Sequence, residues 1–335
     1  MTKKPLLVLY SFTHFWVDLS CAFLVFRTLS SSTDFALCLL LYNFCAFAMQ
    51  MPLGLLADHF NRNGVVAALG CSLVALAYVT PGALLTAVVA GLGNALFHLG
   101  GGIDTLNVSE TKAAALGIFV SPGAFGLYLG TIWSKGTSLP LWIAPLVLIL
   151  LAVGILWLCR HNFGSLRSRN APLDFSGNFK PILPLFLVVV LRSYMGMNQS
   201  FQWKSGGWAI ALVAALVLGK ATGGFLMDFT SPRKASVLSL GAAAILYLFS
   251  AFPLPGTLAV FFFNMTMPVT LWAVARVIPG AKGFTFGTLT FALFLGFLPS
   301  WLGWPSLLTM SWSYAVVSLV SLALLLIAFG KERNQ

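Results

Sequence analysis

Apolar runs long enough to cross a bilayer dominate this chain, and only short polar breaks separate them. The runs cover approximately 6–28, 35–57, 64–80, 82–101, 113–134, 139–159, 181–200, 206–227, 235–252, 255–275, 283–301 and 306–329. A spanning helix needs about 20 mainly apolar residues, so each run reads as one crossing. The expected architecture is therefore an all-α integral membrane protein of twelve transmembrane helices. The one substantial polar stretch, 160–180, holds Arg160, His161, Arg167, Arg169 and Lys180. It divides the chain into an N-terminal six-helix bundle (1–159), a basic linker (160–180) and a C-terminal six-helix bundle (181–335). The first run follows Met1-Thr-Lys-Lys-Pro, which superficially resembles a secretory leader. It has no small-residue cleavage site and carries His14 and Asp18, so it reads as a first spanning helix.

Composition agrees with the pattern. Of 335 residues, 59% are hydrophobic and 8% charged, with a mean hydropathy of +0.93. A soluble domain carries about 25% charged residues, far more than this chain has to cover a wet surface. The net charge of +11 could indicate nucleic acid, but the Lys and Arg residues form no patch. They sit between apolar runs, and topology accounts for them. With both termini cytoplasmic, fourteen of the nineteen Lys and Arg residues lie inside. Three (Arg27, Lys135, Lys204) lie outside, and two (Arg192, Lys220) lie within spans. The five cysteines fit no disulfide or metal spacing and read as small buried side chains.

The two sets of six runs repeat each other. Gly54-Leu-Leu-Ala-Asp58 with Arg62 closes the second run, and Gly224-Phe-Leu-Met-Asp228 with Arg233 closes the eighth. Asn94 and Asn264 each open a broken polar stretch in the fourth and tenth runs, and Gly117…Gly130 corresponds to Gly283…Gly296. Copies in spans 2 and 8 share one membrane orientation, as in a parallel repeat. Two such halves with Gly-x-x-x-Asp-x-x-x-Arg between spans 2 and 3 resemble the major facilitator superfamily over essentially the whole chain. The resemblance implies two pseudo-symmetric bundles that transport by alternating access. It also implies that Asp58, with Arg62 and Gly54, latches onto a helix N-terminus in the opposite half. Asp228 and Arg233 would form the second copy. His59 and Asn63 stand where that family usually has basic residues. Three shorter segments resemble its fosmidomycin-resistance branch: His14-Phe-Trp-Val-Asp18, Phe97-His98-Leu-Gly-Gly and Leu191-Arg192-Ser193. Leu99 replaces the proline expected after His98.

Ionisable groups inside spans cost about 2.5–3.5 kcal/mol each on insertion scales, so each needs a reason. His14 and Asp18 are four apart and share one helix face. That pair can exchange a proton near neutral pH, or it can be a static hydrogen bond that orients the helix. Arg192, halfway along the seventh run, presents a forked donor set suited to a carboxylate or phosphonate. The alternative for Arg192 is a structural salt bridge to Asp18. Lys220 either attracts an anion or extends along its stem to the interface. His98 precedes Gly100-Gly101-Gly102, which permit a bend or close packing, and is either a cavity ligand or a satisfied core residue. Asn94 and Asn198 are candidates for cavity lining, with helix–helix hydrogen bonding as the alternative. Ser121-Pro122-Gly123-x-x-Gly126-x-x-x-Gly130 resembles the span-5 segment of superfamily antiporters and tilts the reading toward efflux.

No phosphate loop, nucleophile elbow or His-Glu-x-x-His spacing is present, so neither an enzyme nor a metal or cofactor is expected. The expected function is a secondary, proton-coupled transporter of the cell membrane. Its substrate would bind at Arg192, Asp18, His98, Asn94, Asn198 and Lys220. Two alternatives stand beside it: a membrane-embedded transferase using His14 or His98, and a non-transporting sensor on the same fold.

Overall fold

A computed structural model describes residues 4–109, 111–136, 140–162, 179–278 and 280–330. Most of the basic linker, including Arg167 and Arg169, lies outside the described residues. The regular elements among the described residues are all helices, without strands. The first half contains α1 (Lys4–Arg27), α2 (Phe35–Phe60), α3 (Asn63–Ala77), α4 (Ala83–Val108), α5 (Ala114–Ser134) and α6 (Ile143–Asn162). The second contains α7 (Ile182–Asn198), α8 (Gly206–Phe229), α9 (Pro232–Leu248), α10 (Pro253–Val274), α11 (Lys282–Trp301) and α12 (Ser311–Phe329). Nine of these are long and apolar enough to cross a membrane, and α3 and α7 are shorter apolar helices. The chain is an all-α, multi-pass membrane protein.

The chain forms two compact units. Unit 1 comprises 1–110, 122–174 and 279–291; unit 2 comprises 111–121, 175–278 and 292–335. Within unit 1, α3 packs on α4 and α6, α4 packs on α1 and α2, and α1 packs on α6. Within unit 2, α9 packs on α10 and α12, α10 packs on α7 and α8, and α7 packs on α12. Each pairing in the first set reappears six helices later. The sequence repeat is therefore also a packing repeat.

Side-chain placement follows the bilayer as solvent. Tyr10, Phe23, Phe97, Phe119 and Tyr247 are fully buried, whereas Leu69, Leu150, Leu218, Ile245 and Ile327 point outward. Outward leucines on this scale would aggregate in water but match hydrocarbon. All five cysteines are free, and four are buried, as the sequence suggests.

Three local features differ from the sequence expectation. First, α4 continues past Gly100-Gly101-Gly102 to Val108, which carries Asp104 and Asn107 into the helix. Those glycines do not break it. A Cβ at Gly100 would strike the backbone of Asn63 and Ala67 on α3, and one at Gly102 would meet the Phe286 ring, so close packing is the reason for these two. Second, Asn264 stands at a real interruption, with α10 broken at Met265, whereas Asn94 lies in unbroken helix. Third, α2 contains a π-helical turn at Phe44–Ala48 before its last segment, Gln50–Phe60. Pi turns inside α-helices often mark functional positions.

Candidate functional site

In unit 1, α1 delivers two polar side chains and α4 delivers two more. His14 Nε2 lies 3.3 Å from Asp18 Oδ2, one helical turn apart. His98 reaches the same point from α4: its Nε2 is 2.9 Å from His14 Nε2 and 3.6 Å from Asp18 Oδ1. The two imidazoles meet edge-on, with centroids 4.4 Å apart. His98 Nδ1 faces the carbonyl of Asn94 at 2.8 Å, and Asn94 Nδ2 donates to Asp18 Oδ1 at 3.2 Å. Four residues singled out in the sequence thus form one cluster. Charged groups in a spanning bundle are expensive, and convergence offsets that cost.

The wall beside this cluster is α5. A Cβ at Gly123 would collide with His14 Nε2 and Asp18 Oδ2, and Gly126 and Gly130 meet the carbonyls of Phe15 and Leu19 on α1. The glycine spacing of span 5 therefore has a packing role: it seats α5 against the face of α1 that bears the acid.

In unit 2, Arg192 on α7 is buried, at 8% exposure. Its Nη2 donates to Thr266 Oγ1 at 2.8 Å and its Nη1 to Thr270 Oγ1 at 3.4 Å, both on α10. Its Nε has no hydrogen-bond partner among the described residues. No carboxylate among the described residues of unit 2 stands in ion-pair range of it. Among the described residues of unit 2, the guanidinium is held by neutral hydroxyls. Asn198, on the same helix, donates to the Tyr194 carbonyl and to Ser300 Oγ, both at 2.8 Å. Lys220 lies on α8, where its carbonyl packs against Gly117.

The two loop aspartates occupy equivalent positions. Asp58 is buried within unit 1 and accepts from Gly283 N at 2.8 Å and Phe284 N at 2.9 Å. These amides lie in the first turn of α11. Asp228, within unit 2, accepts from Ala113 N at 2.5 Å and Ala114 N at 3.1 Å, where α5 begins. A helix start has unsatisfied N–H groups and a positive dipole end, which a carboxylate complements. Glycine is required beside the first of these contacts, because a Cβ at Gly54 would overlap the Gly283 carbonyl. The paired basic residues differ. Arg62 stands at the N-cap of α3, while Arg233 Nη1 donates to the Gly330 carbonyl at 2.6 Å, beyond the end of α12.

The sequence reading missed Asp104. Its Oδ2 accepts from Tyr10 OH at 2.7 Å and its Oδ1 from Asn63 Nδ2 at 2.8 Å, which ties α1, α3 and α4 together. A usable signal existed: nothing between Gly102 and Ser109 is a proline, so the helical pattern could have been continued through it.

No protein-family model and no curated protein sequence matches the chain. Solved structures do match. The E. coli fucose:proton symporter superposes with a TM-score of 0.69 at 13% identity, covering 98% of both chains. The same symporter described as a major facilitator superfamily transporter in the outward conformation gives 0.65 at 15% identity, over 97% of this chain and 98% of that one. This chain has the major facilitator fold. A bacterial homologue of the iron transporter ferroportin, in an outward-facing state, gives 0.67 at 16% identity over 98% of each. The repeat of packed pairs and the two carboxylate-capped helix starts are how this sequence builds the major facilitator fold.

Proposed function

We propose that the chain is a secondary active transporter working by alternating access, with a small anionic molecule as substrate and protons as coupling ion. One observation carries the anion assignment: the Arg192 guanidinium is buried against two threonine hydroxyls with its Nε unpartnered. A buried charge without a counter-charge is costly, and an entering carboxylate or phosphonate would supply one in bidentate form. Asp18 and His14 are the proposed proton-exchanging groups, with His98 and Asn94 completing their surroundings. A neighbour of the same fold that is described as a proton symporter supports that coupling.

In this reading 1–159 and 181–335 move as two bundles joined by the 160–180 linker. Asp58 and Asp228, with Gly54, Arg62 and Arg233, are the gate that must release in each cycle. Both termini lie in the cytoplasm, by the distribution of Lys and Arg. Export by proton antiport is the favoured direction. A membrane transferase is disfavoured because one active site has no need of two matching halves.

The test uses purified protein in liposomes with an imposed pH gradient. Flux of an organic anion should follow the gradient and collapse with a protonophore. Arg192→Ala should abolish saturable flux, and undiminished flux in that variant would remove Arg192 from substrate binding.

A further inference from the structure

The ring nitrogens and carboxylate in unit 1 converge closely enough to share a single cation. His98 Nδ1 faces a backbone carbonyl, the environment that favours the tautomer with the ring hydrogen on Nδ1. Neutral His98 then directs the lone pair of Nε2 at both His14 Nε2 and Asp18 Oδ1. Two nitrogens and a carboxylate, all within 4.8 Å of one another, converge on one point. Such a convergence of nitrogen lone pairs and a carboxylate suits a positive charge in their midst. A shared proton is one answer; a metal cation is the other.

We propose that His14 Nε2, His98 Nε2 and the Asp18 carboxylate form a binding site for a divalent first-row transition-metal cation. The nitrogens are 2.9 Å apart and approach the carboxylate at 3.3 Å (Oδ2) and 3.6 Å (Oδ1), separations close to the ligand–ligand edges of a single ion. Bonds of about 2.1 Å give edges of roughly 3.0 Å in octahedral and 3.4 Å in tetrahedral geometry. Two imidazoles and one carboxylate are a donor set for ions from manganese to zinc, whereas magnesium and calcium demand oxygen. The outer shell is also in place. The His98 Nδ1–H to carbonyl bond fixes tautomer and ring orientation, as metal-ligating histidines require. Asn94 Nδ2 orients the carboxylate, and Asn94 Oδ1 is buried without a partner beside the same cluster. The Asp18 side chain is 21% exposed, which leaves an approach for the ion.

The site goes beyond the transport reading and does not need it, since metal binding would occur in a chain that moved nothing. Where both hold, metal and proton compete for the same lone pairs, so the cluster exchanges one for the other.

Tag-free protein in detergent, stripped with chelator and given Co²⁺, tests the site. The expected result is visible d–d absorption with one Co²⁺ retained per chain, displaced by Zn²⁺ and unaffected by excess Mg²⁺. His14→Gln and His98→Gln should each weaken retention on the order of tenfold or more, and Asn94→Ala by about 10–100-fold as an outer-shell loss. His59→Gln, which removes an exposed histidine away from the cluster, should retain the full spectrum. Absence of the bands in monodisperse wild-type protein overturns the proposal without reference to any variant. So does an unchanged spectrum in the His14→Gln/His98→Gln pair. Neither result bears on flux, so the proposal can fail while transport stands.

Discussion

Replacing Arg192 with methionine should stabilise the protein while eliminating anion binding. The guanidinium is 8% exposed and makes one good hydrogen bond, 2.8 Å to Thr266, and one long one, 3.4 Å to Thr270. Taking a charge out of water costs several kcal/mol even after relaxation. A hydrogen bond to a charged group returns about 1.5–3 kcal/mol, and the 3.4 Å contact returns less. The balance leaves the folded state carrying a deficit of about 1–3 kcal/mol. Methionine fills similar volume without charge. Thr266 and Thr270 keep their bonds to the Phe263 and Met267 carbonyls, so the substitution orphans neither hydroxyl. The expected outcome is a rise in Tm of roughly 2–6 °C in detergent, where most buried Arg truncations would lower it. Wild-type protein should gain about 2.7 kcal/mol of apparent stability at a hundredfold excess of anion over Kd, and the variant none. Differential scanning fluorimetry with and without anion reads both. A fall in Tm of more than 2 °C for Arg192→Met would mean that the charge is already compensated, and the argument for an anion there would collapse.

Two further outcomes follow from packing and capping. Asp58→Asn should speed hydrogen exchange at the Gly283 and Phe284 amides by about 10–100-fold, as charge-assisted bonds worth 1–3 kcal/mol are lost; unchanged exchange would show that the carboxylate does not hold that helix end. Gly70→Ala should lower Tm because its Cβ would overlap the Phe97 backbone, whereas Gly241→Ala, with nothing within 4 Å, should raise stability by about 0.5–1 kcal/mol; equal shifts in the two variants would refute the close-packing account of α3 and α4.

Most of the fold was legible because a bilayer imposes a crude, strong rule: each crossing must be long and apolar. The aspartates at the ends of α2 and α8 stood out because their spacing repeats between halves, but a helix start as their partner came only from the family resemblance. The cluster around Asp18 was half legible. His14 and Asp18 are four residues apart on one helix, so local periodicity brings them together. His98 is 84 residues from His14, and only the packing of α4 on α1 unites them. Asp104 was hidden by three glycines that look like a helix end in isolation. Tertiary contact with α3 overrides that weak local preference. Asn198 also donates to Ser300, 102 residues away, a contact that local spacing does not reveal.

The two capped helix starts also set a statistical limit on the proposed cycle. If each carboxylate holds its amides by about 1–2 kcal/mol, a state with both released is populated at only about one part in 30 to one in 1,000. Any solute or cation that favours that state then binds more weakly than its intrinsic affinity by the same factor. Loosening one cap would raise apparent affinity without touching a single ligand-contacting atom. The repeated cap thus gives the proposed cycle two resistances in series, and loosening the weaker of them changes affinity at the least cost in stability.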